Sequence, residues 1–213
     1  MKHRKLNKKR IFKTIIILFI IISSISYLVY NYYYDSSGIK RYRSKVDKDN
    51  DGVDDQTDIL RNVKKYISKK PVYKSKYYKT GYPNDKYGVC TDVVGYGLLN
   101  SGYDLRKLVN EDIENNRQLY DIDEMDINID FRRVENLLVY FNRYAIKLTT
   151  DITKVDQWQG GDIIIFETHI GIISDKRNKN KVPYLIHHTD IQDDYEEDLL
   201  ENRNDIVAHF RIS

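Results

Sequence analysis

Gly161-Asp-Ile-Ile-Ile-Phe-Glu-Thr-His-Ile-Gly-Ile-Ile-Ser174 holds two short runs rich in β-branched residues, separated by a turn. Each run, Asp162–Phe166 and His169–Ser174, has the length and composition of a buried strand. Two more runs of this kind follow, at Val182–His187 and Ile206–Ile212. The C-terminal part of the chain is therefore predicted to form a β-sheet.

The region before this sheet shows helical patterns instead. Apolar residues recur at helical spacing in four segments: Ile59–Ser68, Val89–Leu99, Leu105–Asn115 and Arg132–Tyr144. Gly102 lies just past the end of the second segment, where glycine commonly terminates a helix. Residues 70–88 hold two of the three prolines and predict irregular structure. Helices followed by strands favour an α+β fold with a mainly antiparallel sheet.

The N-terminal segment has the pattern of a membrane anchor. Thr14–Tyr34 contains no charged residue, is just long enough to span a bilayer, and ends in several tyrosines. Seven basic residues precede it, which predicts a cytoplasmic N-terminus and an extracytoplasmic body in a single-pass protein of the cell membrane. A cleaved signal peptide is the alternative, although Ser23–Leu28 lacks the small-residue cleavage pattern.

Charge and length limit which functions and how many domains are possible for the rest of the chain. Of 213 residues with a formal charge of +3, the part from residue 14 onward carries −4, which argues against nucleic-acid binding. The length suits one domain behind an anchor. The predicted divisions are a cytoplasmic tail, a membrane helix, a stalk, an acidic loop and a folded domain: residues 1–13, 14–34, 35–46, 47–58 and 59–213.

The acidic loop Asp47-Lys-Asp-Asn-Asp-Gly-Val-Asp-Asp-Gln-Thr-Asp58 has the spacing of an EF-hand-like calcium site. The predicted ligands are five carboxylates and one backbone carbonyl: Asp47, Asp49, Asp51, Asp55, Asp58 and Val53. The last position carries Asp instead of the usual Glu, and no helix is predicted before the loop. We expect a structural Ca²⁺ here; the alternative is a solvated acidic linker.

Cys90 is the only cysteine, so neither an intrachain disulfide nor a cysteine zinc cluster can form. It lies at the start of a predicted helix, where the helix dipole and unpaired N–H groups favour a thiolate. A lone cysteine of this kind is either an inert core residue or a nucleophile.

Two histidines favour the nucleophile. A cysteine that attacks a carbonyl needs an imidazole base and a third group that orients the base. His169 begins one predicted strand and His187 ends the next, so Cys90, His169 and His187 can supply the three roles without a catalytic cofactor. His188 is an alternative orienter, because adjacent strand residues face opposite sides. His209 is interpreted as a core or surface histidine.

Several motifs resemble a known family. Gly88-Val-Cys90-Thr-Asp92-Val-Val, Gly161-Asp162-Ile, His169-Ile-Gly-Ile-Ile-Ser-Asp175 and Ile186-His187 are similar to the YijF-like domain of unknown function 1287. That family is similar in turn to the NlpC-type and amidase branch of papain-like cysteine peptidases, which cut peptides of the bacterial cell wall. The resemblance implies a papain-like fold over residues 59–213, with Cys90, His169 and His187 as the triad.

Other polar residues are weaker candidates. Arg132 and Arg133, with Asp130 and Asp92, can form a clamp for a substrate carboxylate, since arginine pairs with carboxylates bidentately. A helix-start cap with ion pairs is the competing interpretation. Tyr78 and Tyr82 are candidate donors to an oxyanion beside the Cys90 N–H, a role that a tyrosine has in some relatives.

Two functions follow as expectations. One is an extracytoplasmic cysteine peptidase or amidase that acts on cell-wall peptides. The other is a catalytically degenerate, calcium-stabilised module that binds or tethers a partner at the cell surface.

Overall fold

The computed structural model describes residues 8–191 and 194–213, which form two compact units that divide after Arg41. Residues 1–7 of the predicted basic tail lie outside the described residues. The predicted stalk of residues 35–46 is shared between the units. Its first part turns back on itself through Asp35, whose Oδ1 accepts the N–H of Ile39 (2.9 Å). From Tyr42 onward it belongs to the second unit.

The first unit contains α1 (Lys8–Tyr33), a helix apolar and long enough to cross a membrane. All of its side chains are exposed, as expected for a helix that is not part of a protein core. The helix begins six residues before the predicted span. Lysine and arginine are good helix formers, so the basic flank continues the helix although it does not continue the apolar stretch. A membrane anchor and a signal sequence both have these properties.

The second unit begins with helices that agree with the predicted patterns. They are α2 (Asp55–Ile67), α3 (Cys90–Leu99), α4 (Leu105–Asn116) and α5 (Val134–Tyr144), with short 3-10 turns at Arg117–Leu119, Asp130–Arg132 and Leu200–Asn202. α2 begins four residues earlier than predicted. Its start is set by Asp54, whose Oδ1 accepts the N–H of Thr57 (3.2 Å) as an N-cap.

The strands form two sheets. A parallel pair, β1 (Val72–Tyr73) and β2 (Tyr87–Gly88), lies within the segment predicted to be irregular. The main sheet has the order β3-β8-β4-β5-β6-β7, and all its pairs are antiparallel, which confirms the mixed helix and sheet prediction. Its strands are β3 (Ile146–Lys147), β4 (Ile163–Phe166), β5 (Ile170–Arg177), β6 (Pro183–Ile186), β7 (Glu196–Glu197) and β8 (Ile206–Arg211).

Both faces of the main sheet are buried at β4, which explains the unbroken isoleucine run of that strand. Ile163 and Ile165 face a cluster that includes α2, α3 and α5, whereas Ile164 and Phe166 face a second cluster around Trp158. Burial of each large side chain contributes about 1.5–3 kcal/mol relative to exposure. The layers therefore fix α3, and with it Cys90, against β5.

A buried ionic network secures the end of the sheet. Asp162 is fully buried and accepts two bonds from Arg211, at 2.7 Å and 2.8 Å. It also accepts from Gln56 Nε2 (2.8 Å) and pairs with His209 Nε2 (3.0 Å). The His209 ring stacks on Trp158 with centroids 3.9 Å apart. His209 is thus a buried histidine of the core.

Asp162→Ala should lower the free energy of unfolding by about 3–5 kcal/mol, because the Arg211 guanidinium would stay buried without its counter-charge. Urea unfolding followed by the fluorescence of Trp158, the only tryptophan, measures this change. The exposed Asp156→Ala serves as the control and should leave the midpoint unchanged. Equal midpoints for the two variants would show that the network adds nothing to stability.

Candidate active site

Cys90 is the first residue of α3 and directly follows the parallel strand pair. The N–H of Val89, one residue earlier, donates to Asp92 Oδ2 (2.8 Å), which closes the first turn of the helix. The backbone N–H of Ile170 at the start of β5 hydrogen bonds to the Cys90 sulfur. The sulfur therefore lies beside the chain that carries His169.

His169 and His187 meet across neighbouring strands. Nε2 of His169 and Nδ1 of His187 are 2.9 Å apart, with the two rings nearly perpendicular. The contact depends on Gly171, because a Cβ there would come within 2.8 Å of the Ile186 carbonyl oxygen and hold β6 away from β5. The structure thus brings together the two histidines that the sequence selected.

Glu197 extends this pair to a third side chain. Its Oε2 lies 3.0 Å from Nε2 of His187, and the residue is held there because β7 pairs with β6. No motif in the sequence indicated Glu197. It is one of several acids between residues 193 and 198, and its selection depends on the pairing of a two-residue strand.

The hydrogen-bond directions in this chain follow from the carboxylate. An ionised carboxylate only accepts, so Nε2 of His187 must carry the proton that faces Glu197. Nδ1 of a neutral His187 is then an acceptor, and Nε2 of His169 donates to it. This leaves Nδ1 of a neutral His169 without a proton. Glu197 thereby makes that nitrogen a base.

Burial keeps both histidines neutral. Burial, followed by the neighbouring side chains of His187 and Arg203, lowers the pKa of His169 to about 4. Burial also lowers the pKa of His187, while its hydrogen bond to Glu197 acts in the opposite direction. At neutral pH the pair is uncharged, which is the state that the hydrogen-bond directions require.

The pKa of Cys90 differs from the sequence expectation of a thiolate at a helix start. Burial raises the pKa of the Cys90 thiol, and the backbone N–H groups of Ile170, Thr91 and Cys90 itself oppose this only in part. The desolvation of the sulfur thus outweighs the favourable N–H groups around it. The resting site holds a neutral thiol and a neutral imidazole.

His188 faces away from the His169–His187 pair. Its ring contacts Tyr73 and Tyr195, with centroids 5.4 Å and 5.3 Å away. Of the two candidates for the orienting group, His187 therefore contacts His169 and His188 does not. Burial lowers the pKa of His188 to about 4, and a hydrogen bond with the backbone of Pro71 opposes that shift.

The two tyrosines proposed as oxyanion donors are bound elsewhere. The Tyr78 hydroxyl donates to Asp85 Oδ1 (2.9 Å), and the Tyr82 hydroxyl donates to Asp104 Oδ1 (3.0 Å). Tyr73 of β1 lies within electrostatic range of the cysteine: burial and then the charge of an ionised Cys90 raise the pKa of Tyr73. Its short strand lies in a segment where the sequence predicted no regular structure.

The proposed carboxylate clamp is mostly internal. Arg132 is buried and donates to both oxygens of Asp92 at 2.8 Å, while its third nitrogen donates to the Lys76 carbonyl (2.7 Å). Asp130 is buried as well and accepts the N–H of Asp126 (2.7 Å). Three of the four predicted residues thus fix the start of α3 and the turn beside it. Arg133 alone keeps a half-exposed side chain.

A cleft of about 370 Å³ lies next to the site. It is lined by the loop that leads into β1 and by the residues around β7: Lys70, Pro71, Val72, Tyr73, His188, Thr189, Asp190, Asp194 and Tyr195. Tyr73 and His188 are the cleft residues nearest in the fold to the site, since Tyr73 lies within electrostatic range of Cys90 and His188 follows His187. The cleft opens to the surface, and its lining carries two carboxylates, Asp190 and Asp194, beside Lys70.

The acidic loop has the local geometry of a cation site. Asp47, Asp49 and Asp51 each present an oxygen within 4.8 Å of the others. Gly52 has φ +88°, a conformation that other residues rarely adopt, and its N–H donates to Asp47 Oδ2 (2.9 Å). The Val53 N–H donates to Asp51 Oδ1 (2.8 Å), which directs that carboxylate inward.

The last two predicted ligands, Asp55 and Asp58, differ in their hydrogen-bond partners and surroundings. Asp58 is buried, and burial and then the charges of Asp51 and Asp49 raise its pKa against the effect of Ser101. This carboxylate therefore lies in the field of the loop, as a twelfth-position ligand would. Asp55 is used within the fold instead, since it accepts the N–H of Lys48 (2.7 Å) and the Tyr103 hydroxyl. The residues fit a cation with Asp55 in a supporting role.

Comparisons with known proteins identify a family but no activity. The model of a domain of unknown function, DUF1287, matches residues 60–212. The chain is similar to the uncharacterized protein YijF of Escherichia coli (strain K12), with 35% identity over 150 residues that cover 66% of this chain and 72% of YijF. No solved structure matches the chain significantly.

The raised pKa of Cys90 predicts a slow reaction with iodoacetamide near neutral pH. The thiolate is the reactive form, and at a given pH the native protein holds less of it than an ordinary cysteine does. The alkylation rate of the native chain should therefore be below that of the chain in urea at pH 7 and approach it as the pH rises. Labelling at pH 6 that is faster in the native chain would instead indicate a thiolate–imidazolium pair.

Proposed function

The chain belongs to the DUF1287 family, and we propose that it is a membrane-anchored, extracytoplasmic cysteine hydrolase that cleaves an amide bond in cell-wall peptides. The observation that carries the proposal is one arrangement of side chains. Cys90 begins a helix, and its sulfur accepts the N–H of Ile170. The residue before Ile170 is His169, which pairs with His187 and, through it, with Glu197. These are the nucleophile, base and orienting group that acyl transfer from an amide requires.

The first half of the reaction uses the unprotonated Nδ1 of His169. As the Cys90 sulfur attacks the amide carbonyl, the thiol proton passes to this nitrogen and a carbon–sulfur bond forms. The carbonyl oxygen becomes an oxyanion, to which the Cys90 N–H and the Tyr73 hydroxyl are the available donors. The imidazolium then gives its proton to the leaving amine as the carbon–nitrogen bond breaks.

The second half releases the acid. Water attacks the thioester carbonyl and His169 takes a proton from that water. The carbon–sulfur bond then breaks, and His169 returns its proton to the sulfur, which regenerates the thiol. In both halves of the reaction a positive charge develops on the largely buried imidazole of His169. Its Nε2–H remains bonded to His187, and the Glu197 carboxylate stabilises the charge through that ring. This stabilisation acts in the transition state and should raise kcat more than it changes KM.

The substrate class rests on the resemblance to the NlpC-type peptidases. The chain order Cys, His, His and the order of helices before an antiparallel sheet are consistent with a papain-like fold. The helix α1, as an uncleaved anchor with a cytoplasmic N-terminus, would hold the body outside the membrane, where cell-wall peptides are. A cleaved signal sequence would also export the body, without tethering it.

A non-catalytic binding module is the second candidate, and the burial and raised pKa of Cys90 favour it. In that case the thiol is a core residue and the histidine chain stabilises the fold. The two candidates differ in turnover, since only the hydrolase requires Cys90 for a reaction.

The variants with the sharpest consequences are His169→Ala and Glu197→Gln. Loss of the base should lower kcat by about 10²–10⁴-fold. In Glu197→Gln the new amide oxygen can still accept the His187 proton but carries no charge, so kcat should fall by about tenfold or more while KM stays nearly constant. The measurement is mass spectrometry of products from purified cell-wall peptides, as a function of substrate concentration.

Glu196→Gln is the matched control for Glu197→Gln. Glu196 is in the same two-residue strand but pairs with Ser174 and Lys64 instead of His187. We expect it to retain the kcat of the parent protein. Equal losses in the two variants would assign Glu197 to the stability of β7 and remove it from the mechanism.

We also propose that the acidic loop binds a structural Ca²⁺. Asp47, Asp49, Asp51 and Asp58 would hold the ion together with the Val53 carbonyl. The support is the inward geometry of the first three carboxylates and the burial of the fourth within their field. A divalent cation would neutralise charges that otherwise repel one another.

Calcium should raise the melting temperature of the chain, because a ligand that binds only the folded state stabilises it. Asp51→Ala should remove most of that increase, whereas the exposed Asp121→Ala should retain it. Differential scanning fluorimetry with calcium or with a chelator makes the comparison. The same melting temperature in both solutions would rule out the site.

A further inference from the structure

Positive charge is concentrated in one short segment of the second unit. Residues 64–86 contain eight lysines and one aspartate, a net charge of +7. The rest of residues 42–213 contains 18 Lys and Arg against 30 Asp and Glu, a net charge of −12. The body is therefore acidic apart from this segment, which contains β1 and ends just before β2.

Three lysines of the segment surround one aromatic ring. The Nζ atoms of Lys74, Lys76 and Lys86 lie 5.1, 4.9 and 5.4 Å from the centroid of Tyr87. Any two of these nitrogens are therefore within about 11 Å of each other, close to the Debye length at physiological salt. Among the described residues, Asp85 forms an ion pair with Lys76 alone (2.5 Å). The cluster keeps an excess of positive charge that an anion would neutralise.

This cluster is continuous with the candidate active site. Tyr87 pairs with Val72, and the next pair, Tyr73 with Gly88, brings β1 beside the residues that precede Cys90. Lys70 and Tyr73 also line the cleft. We call the exposed or half-exposed lysines of residues 69–86 the lysine ridge: Lys69, Lys70, Lys74, Lys76, Lys79 and Lys86.

We propose that the lysine ridge binds a linear polymer with a phosphate in each repeat, and that this polymer guides the substrate into the cleft. Lysine ammonium groups act as point charges for phosphate. A chain of repeats can contact lysines spread over residues 69–86, whereas a single small anion would use only the Tyr87 cluster. The proposal rests on the hydrolase function, because the polymer guides the substrate of that site.

A polymer fits the surface better than a lipid bilayer does. The ridge ends in a concave cleft of about 370 Å³ that contains Lys70. A flexible chain can follow the ridge as far as Lys70 at the cleft, whereas a planar headgroup surface can contact only the most exposed part of the ridge. Asp190 and Asp194 in the cleft lining repel the polymer itself, so the polymer stays on the ridge and the substrate enters the cleft. The acidic remainder of the body would also repel an anionic bilayer outside the ridge, and a narrow chain avoids that repulsion.

The test uses the full chain in non-ionic detergent, with Cys90→Ala so that binding is measured without turnover. Linear inorganic polyphosphate of defined length is the probe, and its Kd is measured by calorimetry over a range of salt concentrations. The logarithm of the affinity should fall linearly with that of the salt concentration. Lys74→Gln with Lys86→Gln should weaken binding at least tenfold and reduce the salt slope by about two.

Two further double variants distinguish the effect of where the charges lie from the effect of the net charge of the protein. Lys154→Gln with Lys179→Gln removes the same charge from exposed sites elsewhere and should change the Kd less than twofold. Lys74→Arg with Lys86→Arg should retain binding. Equal weakening by the two glutamine pairs would overturn the proposal, since it would show an unspecific response to net charge.

A second experiment tests whether the lysine ridge binds the phosphate groups of a lipid bilayer instead of a polymer. The full chain is reconstituted in nanodiscs of zwitterionic or phosphatidylserine-containing lipid, and the reaction of Lys74 and Lys86 with an amine reagent is measured. Protection by polyphosphate in zwitterionic nanodiscs supports the polymer. Protection by phosphatidylserine alone overturns it in favour of the membrane surface. Because Cys90→Ala cannot turn over, a failure of the hydrolase proposal would leave these binding results unchanged and separately readable.

Discussion

The hydrogen bond between Nε2 of His169 and Nδ1 of His187 is the constraint on which the rest of the site depends. It exists because β5 and β6 approach closely at Gly171, and because β7 places Glu197 on the far side of His187. The carboxylate sets the direction of both hydrogen bonds. From that direction it follows which nitrogen of His169 can take a proton, and in the proposed reaction this nitrogen takes the proton of the thiol.

The arrangement of charge around this chain is consistent with such activation. Burial keeps both imidazoles neutral and raises the pKa of Cys90, so the resting site stores no ion pair. Charge would separate only during attack, when the oxyanion, the imidazolium and Glu197 are all present. The buried Asp92–Arg132 pair supports the site from behind by fixing the first turn of α3. Its two members fix the position of Cys90 and use their charged groups within the fold.

The sequence predicted the parts of the molecule that local patterns determine. The four helices and four main strands follow from apolar periodicity, and Cys90, His169 and His187 from their positions at element ends. Glu197 and Tyr73 could not be found in this way, because each lies on a two-residue strand that exists only through its pairing with a neighbour. The pKa of Cys90 was predicted in the wrong direction, since helix position is visible in a sequence while the depth of burial is not.

The central claim is that Cys90 carries the acyl group of the substrate during turnover. Its most direct test is the mass of the intact protein after brief incubation with purified cell-wall peptides and an acid quench, followed by peptide mapping. Acylation of Cys90 predicts a mass gain equal to the acyl part of a cleaved peptide, located on the peptide that contains Cys90 and absent from Cys90→Ala. Product formation without any such adduct, or with equal rates in Cys90→Ala, would contradict it.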